Sequence, residues 1–244
     1  MEINESLFVL SQYLGAGIAV GLGGLGSGLS MGDTAKEACI AMERQPLAKD
    51  DVFITMLIGQ AATSTASVFA LVIALLQILV VSVPSTVTWG ACMAMIAAGI
   101  SIGLGCLGPG LGSGYPASSA CAGVGRNPRA KGQIIFNMLI GQSVAQTPAI
   151  FAFLVSLLLL FKNVSNPSWA TAGALLGAGI SMGAGAIGPG IGTGICAERA
   201  CMAVATNPKY SAVIMRTMLI GQAVSQSTAI YSLVVSLILM MMKA

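Results

Sequence analysis

Six long apolar runs separated by short polar stretches set the rhythm of this chain, near residues 8–31, 53–80, 90–117, 133–161, 170–195 and 212–241. A helix needs roughly 20 apolar residues to cross a bilayer, so the pattern predicts six transmembrane helices. The runs alternate in kind. The first, third and fifth are glycine-rich, with Gly21, Gly23, Gly26, Gly28 and Gly32 in the first and a denser set of Gly103–Gly114 and Gly183–Gly194 in the others. The second, fourth and sixth are bulky, as in "FALVIALLQILVV" and "FAFLVSLLLLF". Gly costs about 1 kcal/mol against Ala inside a helix, and in lipid its return is close backbone approach. Glycine-rich helices crowded inside and bulky helices facing lipid predict two concentric layers.

The alternation is part of a repeat. "MLIGQ" occurs at Met56–Gln60, Met138–Gln142 and Met218–Gln222, at offsets of 82 and 80 residues. The same offsets carry Pro46 onto Pro128 and Pro208, Gly17 onto Gly99 and Gly179, and Phe69 onto Phe151 and Tyr231. Each unit is a helix, a short polar turn and a second helix, giving hairpins at 1–82, 83–164 and 165–244. Two spans per unit return the chain to its starting side, so the hairpins share one orientation, which argues against the inverted-repeat transporters. The predicted fold is an all-α integral membrane protein of three tandem hairpins that assemble into a two-layered ring.

Composition strengthens the membrane reading. Of 244 residues, 56% are hydrophobic and 8% charged, and the mean hydropathy is +0.89, where a soluble domain carries about 25% charged residues. The segment "MEINESL" is acidic and lacks the basic start of a signal peptide, so the first run is expected to be a retained helix. Nine of the eleven Lys and Arg residues lie in three zones, around Lys36–Lys49, Arg126–Lys131 and Arg199–Arg216. The positive-inside rule makes those zones cytoplasmic. Lys162, Lys243, both termini and the links 81–89 and 162–169 then face outward, with Trp89 and Trp169 in an aromatic belt. The expected location is the cell membrane of a bacterium or archaeon, with membrane lipids around the outer helices.

Several chemistries are excluded. There is no His and no CxxC pair, so the six cysteines read as small packing residues and no metal is expected beyond a possible Na+. "GLGGLG", "GLGCLG" and "GAGAIG" match GxGxxG, but the dinucleotide motif needs a preceding strand and a later acid. The net charge of +3 is confined to turns and is no nucleic-acid footprint.

"GPGIGTGICAERACMAVATNPKYSAVIMRTMLIGQAVSQSTAIYSLVVSLIL" resembles the proteolipid (c or K) subunit of rotary ATPases in its triplicated form, and the resemblance spans all three hairpins. It implies a rotor ring that carries H+ or Na+ past a static ion-channel subunit with an essential Arg. Such a ring is no enzyme on its own, and takes no cofactor. The resemblance further implies that the turns, through Arg44, Gln45 and Pro46 and through Arg126, Asn127 and Pro128, dock central-stalk subunits of a soluble sector. The family's ion-carrying carboxylate falls on Ser64, Gln146 and Gln226, where this chain holds no acid. Carried over to the third hairpin, the ion site is Gln226, Ser227, Thr228, Tyr231, the carbonyl of Val224 and Thr193. In the second it is Gln146, Thr147, the carbonyl of Val144 and Ser113. The first, with Ser64 and Thr65, is degenerate.

No acid lies between Asp51 and Glu198 or beyond Glu198, so no carboxylate can reach the membrane centre. Gln offers a carbonyl oxygen and an amide, and does not ionise near neutral pH. Each site is therefore expected to resemble a permanently loaded, neutral one. Two readings of that neutrality stand side by side: a structural, non-translocating ring subunit, or a Glu-to-Gln variant locked in the loaded state. Gln60, Gln142 and Gln222, one turn earlier, read equally as glue between helices.

Overall fold

The computed structural model of the chain describes residues 3–84, 86–162, 164 and 168–242. The outward positions expected for Lys243 and for the extreme termini lie outside the described residues. Helix α1 spans Ile3–Arg44; α2 and α3 span Lys49–Thr63 and Thr65–Leu79; α4 spans Trp89–Arg126. Helices α5 and α6 span Lys131–Ala145 and Thr147–Leu160, α7 Trp169–Thr206 and α8 Ser211–Met241. Six helical segments are long and apolar enough to cross a membrane, and the described residues contain no strand.

Three parallel hairpins stand side by side. Helices α1, α4 and α7 form the inner layer, with α4 packed between the other two, and the bulky helices cover it from one side. Close approach here requires glycine. A methyl group on Gly99 would collide with the carbonyl of Gly15, and one on Gly112 with that of Gly190. The backbones therefore touch where a side chain would hold them apart.

The inner helices run farther than their apolar stretches. They are 42, 38 and 38 residues long, about 57–63 Å at 1.5 Å per residue, against a hydrocarbon core of about 30 Å. Beyond the glycines the sequence stays small and then turns charged, which lets the helix leave the membrane without ending. Thr88 and Ser168 cap the starts of α4 and α7 through their hydroxyls, accepting from the N–H groups of Ala91 and Ala170. Arg44 and Arg126 stand in the last turns of α1 and α4, where the helix dipole favours a cation.

Each turn has the same construction. Gln45, Asn127 and Asn207 adopt φ of −138°, −140° and −132°, each followed by a Pro that starts a short 3-10 turn. At the opposite end Trp89 and Trp169 stack with centroids 5.0 Å apart.

The outer helices differ in one respect. Those of the first two hairpins are interrupted at Ser64 and Gln146, whereas α8 runs through Gln226 unbroken. Pro148 lacks an N–H, so the carbonyl of Val144 loses its helical partner. At Ser64 the hydroxyl donates back to the carbonyl of Ala61 at 2.8 Å, a local competition that bends helices.

Candidate functional site

The three positions Ser64, Gln146 and Gln226 sit midway along the outer helices, at the rung where α2 gives way to α3 and α5 to α6. Gln226 is 8% exposed, and its Nε2 donates to the carbonyl of Val144 at 2.6 Å, across to the preceding hairpin. Gln146, 7% exposed, donates to the carbonyl of Ala62 at 3.3 Å and to the hydroxyl of Ser113 at 3.1 Å. Ala62 and Val144 are equivalent positions in successive hairpins, 82 residues apart. Both glutamines thus make the same reach, backward by one hairpin.

A second rung lies one turn away. Gln142 Nε2 donates to the carbonyls of Gly59 and Ser113 at 3.0 and 2.9 Å, and to the Thr63 hydroxyl at 3.1 Å. Gln222 Nε2 repeats this with the carbonyls of Gly141 and Thr193, both at 3.1 Å. Gln60 Nε2 reaches only the carbonyl of Met31, at 3.0 Å. Each internal boundary therefore carries two amide latches, one at the rung of Gln146 and Gln226 and one a turn before it.

The remaining candidates separate into two groups. Ser113 joins Gln146, as just described, while the Thr193 hydroxyl turns to its own helix and donates to the carbonyls of Pro189 and Gly190. Ser227 donates to the carbonyl of Val224 at 2.7 Å and Thr228 to that of Ser225 at 3.1 Å. Val224 and Tyr231 are 70% and 66% exposed on the open flank of the third hairpin. Thr147, Thr65 and Ser64 are half-buried. The structure thus gathers Gln146 with Ser113 and Gln226 with Val144, and leaves Ser227, Thr228 and Tyr231 facing outward.

Of the turn residues, Arg44, Gln45, Pro46 and Arg126 are exposed or nearly so. Asn127 is engaged instead, donating to the carbonyl of Ala205 at 3.0 Å in the next hairpin.

Charge is absent from this level. Among the described residues, no group of three metal-ligating side chains occurs. The amide oxygens Oε1 of Gln142, Gln146, Gln222 and Gln226 are buried without a donor. They are acceptors without a negative charge. A cation there would meet oxygens but no counter-charge, at a cost of several kcal/mol in hydrocarbon.

Sequence spacing alone does not show that the latches cross between hairpins. The family resemblance makes Val144 a ligand of its own hairpin, yet the Val144 carbonyl serves Gln226 of the next. The signal was Pro148, two residues after Gln146, which frees that carbonyl.

Comparison with known proteins agrees with this architecture. The ATP synthase C-subunit family matches three times, over residues 14–77, 96–159 and 176–239. The chain is 31% identical over 230 residues to the K subunit of the A-type ATP synthase of Methanocaldococcus jannaschii, covering 94% of this chain and 95% of that one. Single hairpins match shorter relatives: the ATP synthase c-subunit of Alkaliphilus oremlandii is 52% identical over 79 residues, 32% of this chain and 89% of its own length. That of Geotalea uraniireducens is 46% identical over 71 residues, 29% of this chain and 78% of its own. The chain belongs to the ATP synthase C-subunit family, as a triplicated proteolipid of the membrane rotor ring of rotary ATPases. It is a rotor component, and catalysis lies in other parts of such complexes.

Proposed function

We propose that this chain builds the body of a rotor ring while holding its own carrier positions neutral and latched. The observation that carries the reading is the pairing of Gln226 and Gln146 with carbonyls of the preceding hairpin. An ionisable carboxyl at this rung changes charge when it gives up its proton. A glutamine amide does not titrate near neutral pH, and it already spends its N–H on a protein acceptor. Ion carriage, the work of the family, then depends on carboxylates that this chain does not supply at residues 64, 146 and 226.

The partners follow from the same reading. Copies of the chain close the ring. A static subunit bearing an Arg gains no ionic contact with Gln146 or Gln226. Arg44 and Arg126 offer guanidinium groups to carboxylates of a soluble stalk, beside the exposed turn residues Gln45 and Pro46, which puts the turns on the stalk side and the termini on the other. A carboxylate-bearing sibling within the same ring would restore transport.

The test is reconstitution of the purified ring into vesicles with an imposed pH or sodium gradient. The unaltered chain is expected to leave both gradients standing when a static subunit is added. A double variant, Gln146→Glu with Gln226→Glu, is expected to gain ion movement under the same conditions.

A further inference from the structure

The single chain leaves a set of glycines with nothing to touch. Inner-layer glycines at the two internal boundaries would drive a methyl into a neighbouring backbone, but Gly17, Gly21, Gly28 and Gly32 of α1 meet no atom within 4 Å of where a Cβ would stand. On the far side of the molecule Gly188 of α7 is equally free. A groove of about 420 Å³ runs along α1 beside Tyr13, Leu14, Gly17 and Gly21. Burial tells the same story, with 67% of the apolar window of α4 covered against 39% for α1 and 44% for α7.

The internal boundaries supply the register of what belongs there. Gly99 packs on Gly15, and Gly179 packs on Ala97, which is the same pair moved on by one hairpin. Gly103 packs on Ile18 and Leu22, and Gly183 on Ile100 and Leu104. Gly110 packs on Ser27, and Gly190 on Pro109. One further step of the repeat sets Gly17 on Gly177, Gly21 on Ile180 and Ala184, and Gly28 on Pro189. Each of these pairs joins the first hairpin of one copy to the third hairpin of another. The free glycines of α1 are the ones this step requires.

The amide rungs continue across that boundary, but unequally. By the same step, Gln60 faces the carbonyl of Gly221 and the hydroxyl of Ser225 in the second copy, as Gln142 faces Gly59 and Thr63. At the carrier rung Ser64 faces the carbonyl of Val224. A serine side chain is too short to make the reach that Gln146 and Gln226 make.

We propose that the open glycine face of the first hairpin seats the third hairpin of a second copy in the internal register, latched by Gln60 but lacking the carrier-rung amide at Ser64. The proposal rests on the ring reading and adds to it that the boundaries are of two kinds: two doubly latched ones within each chain and one singly latched seam between chains. The seam is where the ring opens first. It is also where a carrier rung stays free of a crossing amide, with Ser64 from one copy and Val224, Ser227 and Tyr231 from the other.

The register is tested by crosslinking at the turn end. Gly125 packs on Ala41 and Gly123 on Ala205 within the chain, so the seam pair is Ala203 with Glu43 of the second copy. In a background lacking the native cysteines, the full-length double variant Glu43→Cys with Ala203→Cys is oxidised with copper phenanthroline and resolved without reductant. A ladder of covalent multiples is expected, and neither single variant should give one. Native mass spectra of the same samples separate the two readings. Assembly without a ladder, or dimers from Glu43→Cys alone, overturns the seam and leaves the ring standing; absence of any assembly overturns the ring reading and the seam with it. With the native cysteines retained, Gly21→Leu is expected to abolish higher multiples while the helical circular dichroism is unchanged, and undiminished assembly would overturn the docking face. Ser64→Gln is expected to raise the temperature at which rings split into single chains. An unchanged splitting temperature would remove the missing latch from the proposal.

Discussion

The side-chain amide of Gln226 donates to the main-chain carbonyl of Val144 at 2.6 Å, joining the third hairpin to the second midway along the outer helices. That carbonyl is available because Pro148, one helical turn on, has no N–H to offer it. A proline in one hairpin thus prepares an acceptor for a glutamine in the next. Removing the donor takes from that half-buried carbonyl its bond across the boundary, so Gln226→Leu is expected to lower the unfolding free energy in detergent by about 0.6–2 kcal/mol. Gln146→Leu loses a longer reach to Ala62, at 3.3 Å, and also the bond to the Ser113 hydroxyl at 3.1 Å, so it should cost at least as much. Chemical denaturation followed by circular dichroism measures both, and no loss of stability in either variant would contradict the assignment.

Gln142 makes three bonds from one amide, two of them across the first boundary. Gln142→Leu should therefore be the most damaging of the glutamine changes. Thr63→Val removes one of its acceptors at nearly constant shape, and is expected to cost about 1 kcal/mol. A double-mutant cycle between the two should show coupling, because they share a bond; strictly additive losses would argue that the contact contributes nothing.

The inner layer predicts a sharp division among glycines. Gly112→Ala drives a methyl into the carbonyl of Gly190, and overpacking of that kind costs about 1–3 kcal/mol. Gly132 stands near the start of α5 with no neighbour within 4 Å of a would-be Cβ. Gly132→Ala should be neutral or stabilising by up to about 1 kcal/mol through helix propensity. Thermal melting in mild detergent distinguishes the two, and a destabilising Gly132→Ala would contradict the packing account.

Topology offers an independent check. Lys49 stands at a turn and Lys162 at the opposite end of its hairpin, where its ammonium donates to the carbonyl of Met240 near the end of α8. Cysteines placed at the two positions are expected to react with an impermeant maleimide from opposite faces of a sealed vesicle. Reaction of both from one face would break the hairpin reading.

Much of this is legible in the sequence. The period in "MLIGQ" and the alternation of glycine-rich with bulky runs are enough to predict three parallel hairpins in two layers, because helices satisfy their own backbone in lipid and a run of glycines lets neighbouring helices approach closely. Two things are not legible there. Hydropathy ends the inner helices near residues 31, 117 and 195, whereas the helices run on to Arg44, Arg126 and Thr206; a helix does not need to stop where the membrane does. The direction in which Gln146 and Gln226 point is also hidden. The family resemblance places them on one rung, but only the packing of one hairpin on another shows that Gln226 reaches the neighbour and that Gln146 reaches both the neighbour and its own inner helix. Tyr231, Ser227 and Thr228 show the same limit from the other side, since they stand on the open flank of the third hairpin.

The neutrality of the rung formed by Ser64, Gln146 and Gln226 is the centre of the account, and carbodiimide labelling tests it most directly, because the reagent modifies protonated carboxyls. Rings of the unaltered chain are treated with a fluorescent carbodiimide and mapped by peptide mass spectrometry, beside rings carrying Gln146→Glu and Gln226→Glu. The account predicts no labelled residue within 53–80, 133–161 or 212–241 of the unaltered chain, and strong labelling at residues 146 and 226 of the variant, falling as pH is raised. Rapid labelling of the unaltered chain within any of those three segments would contradict it.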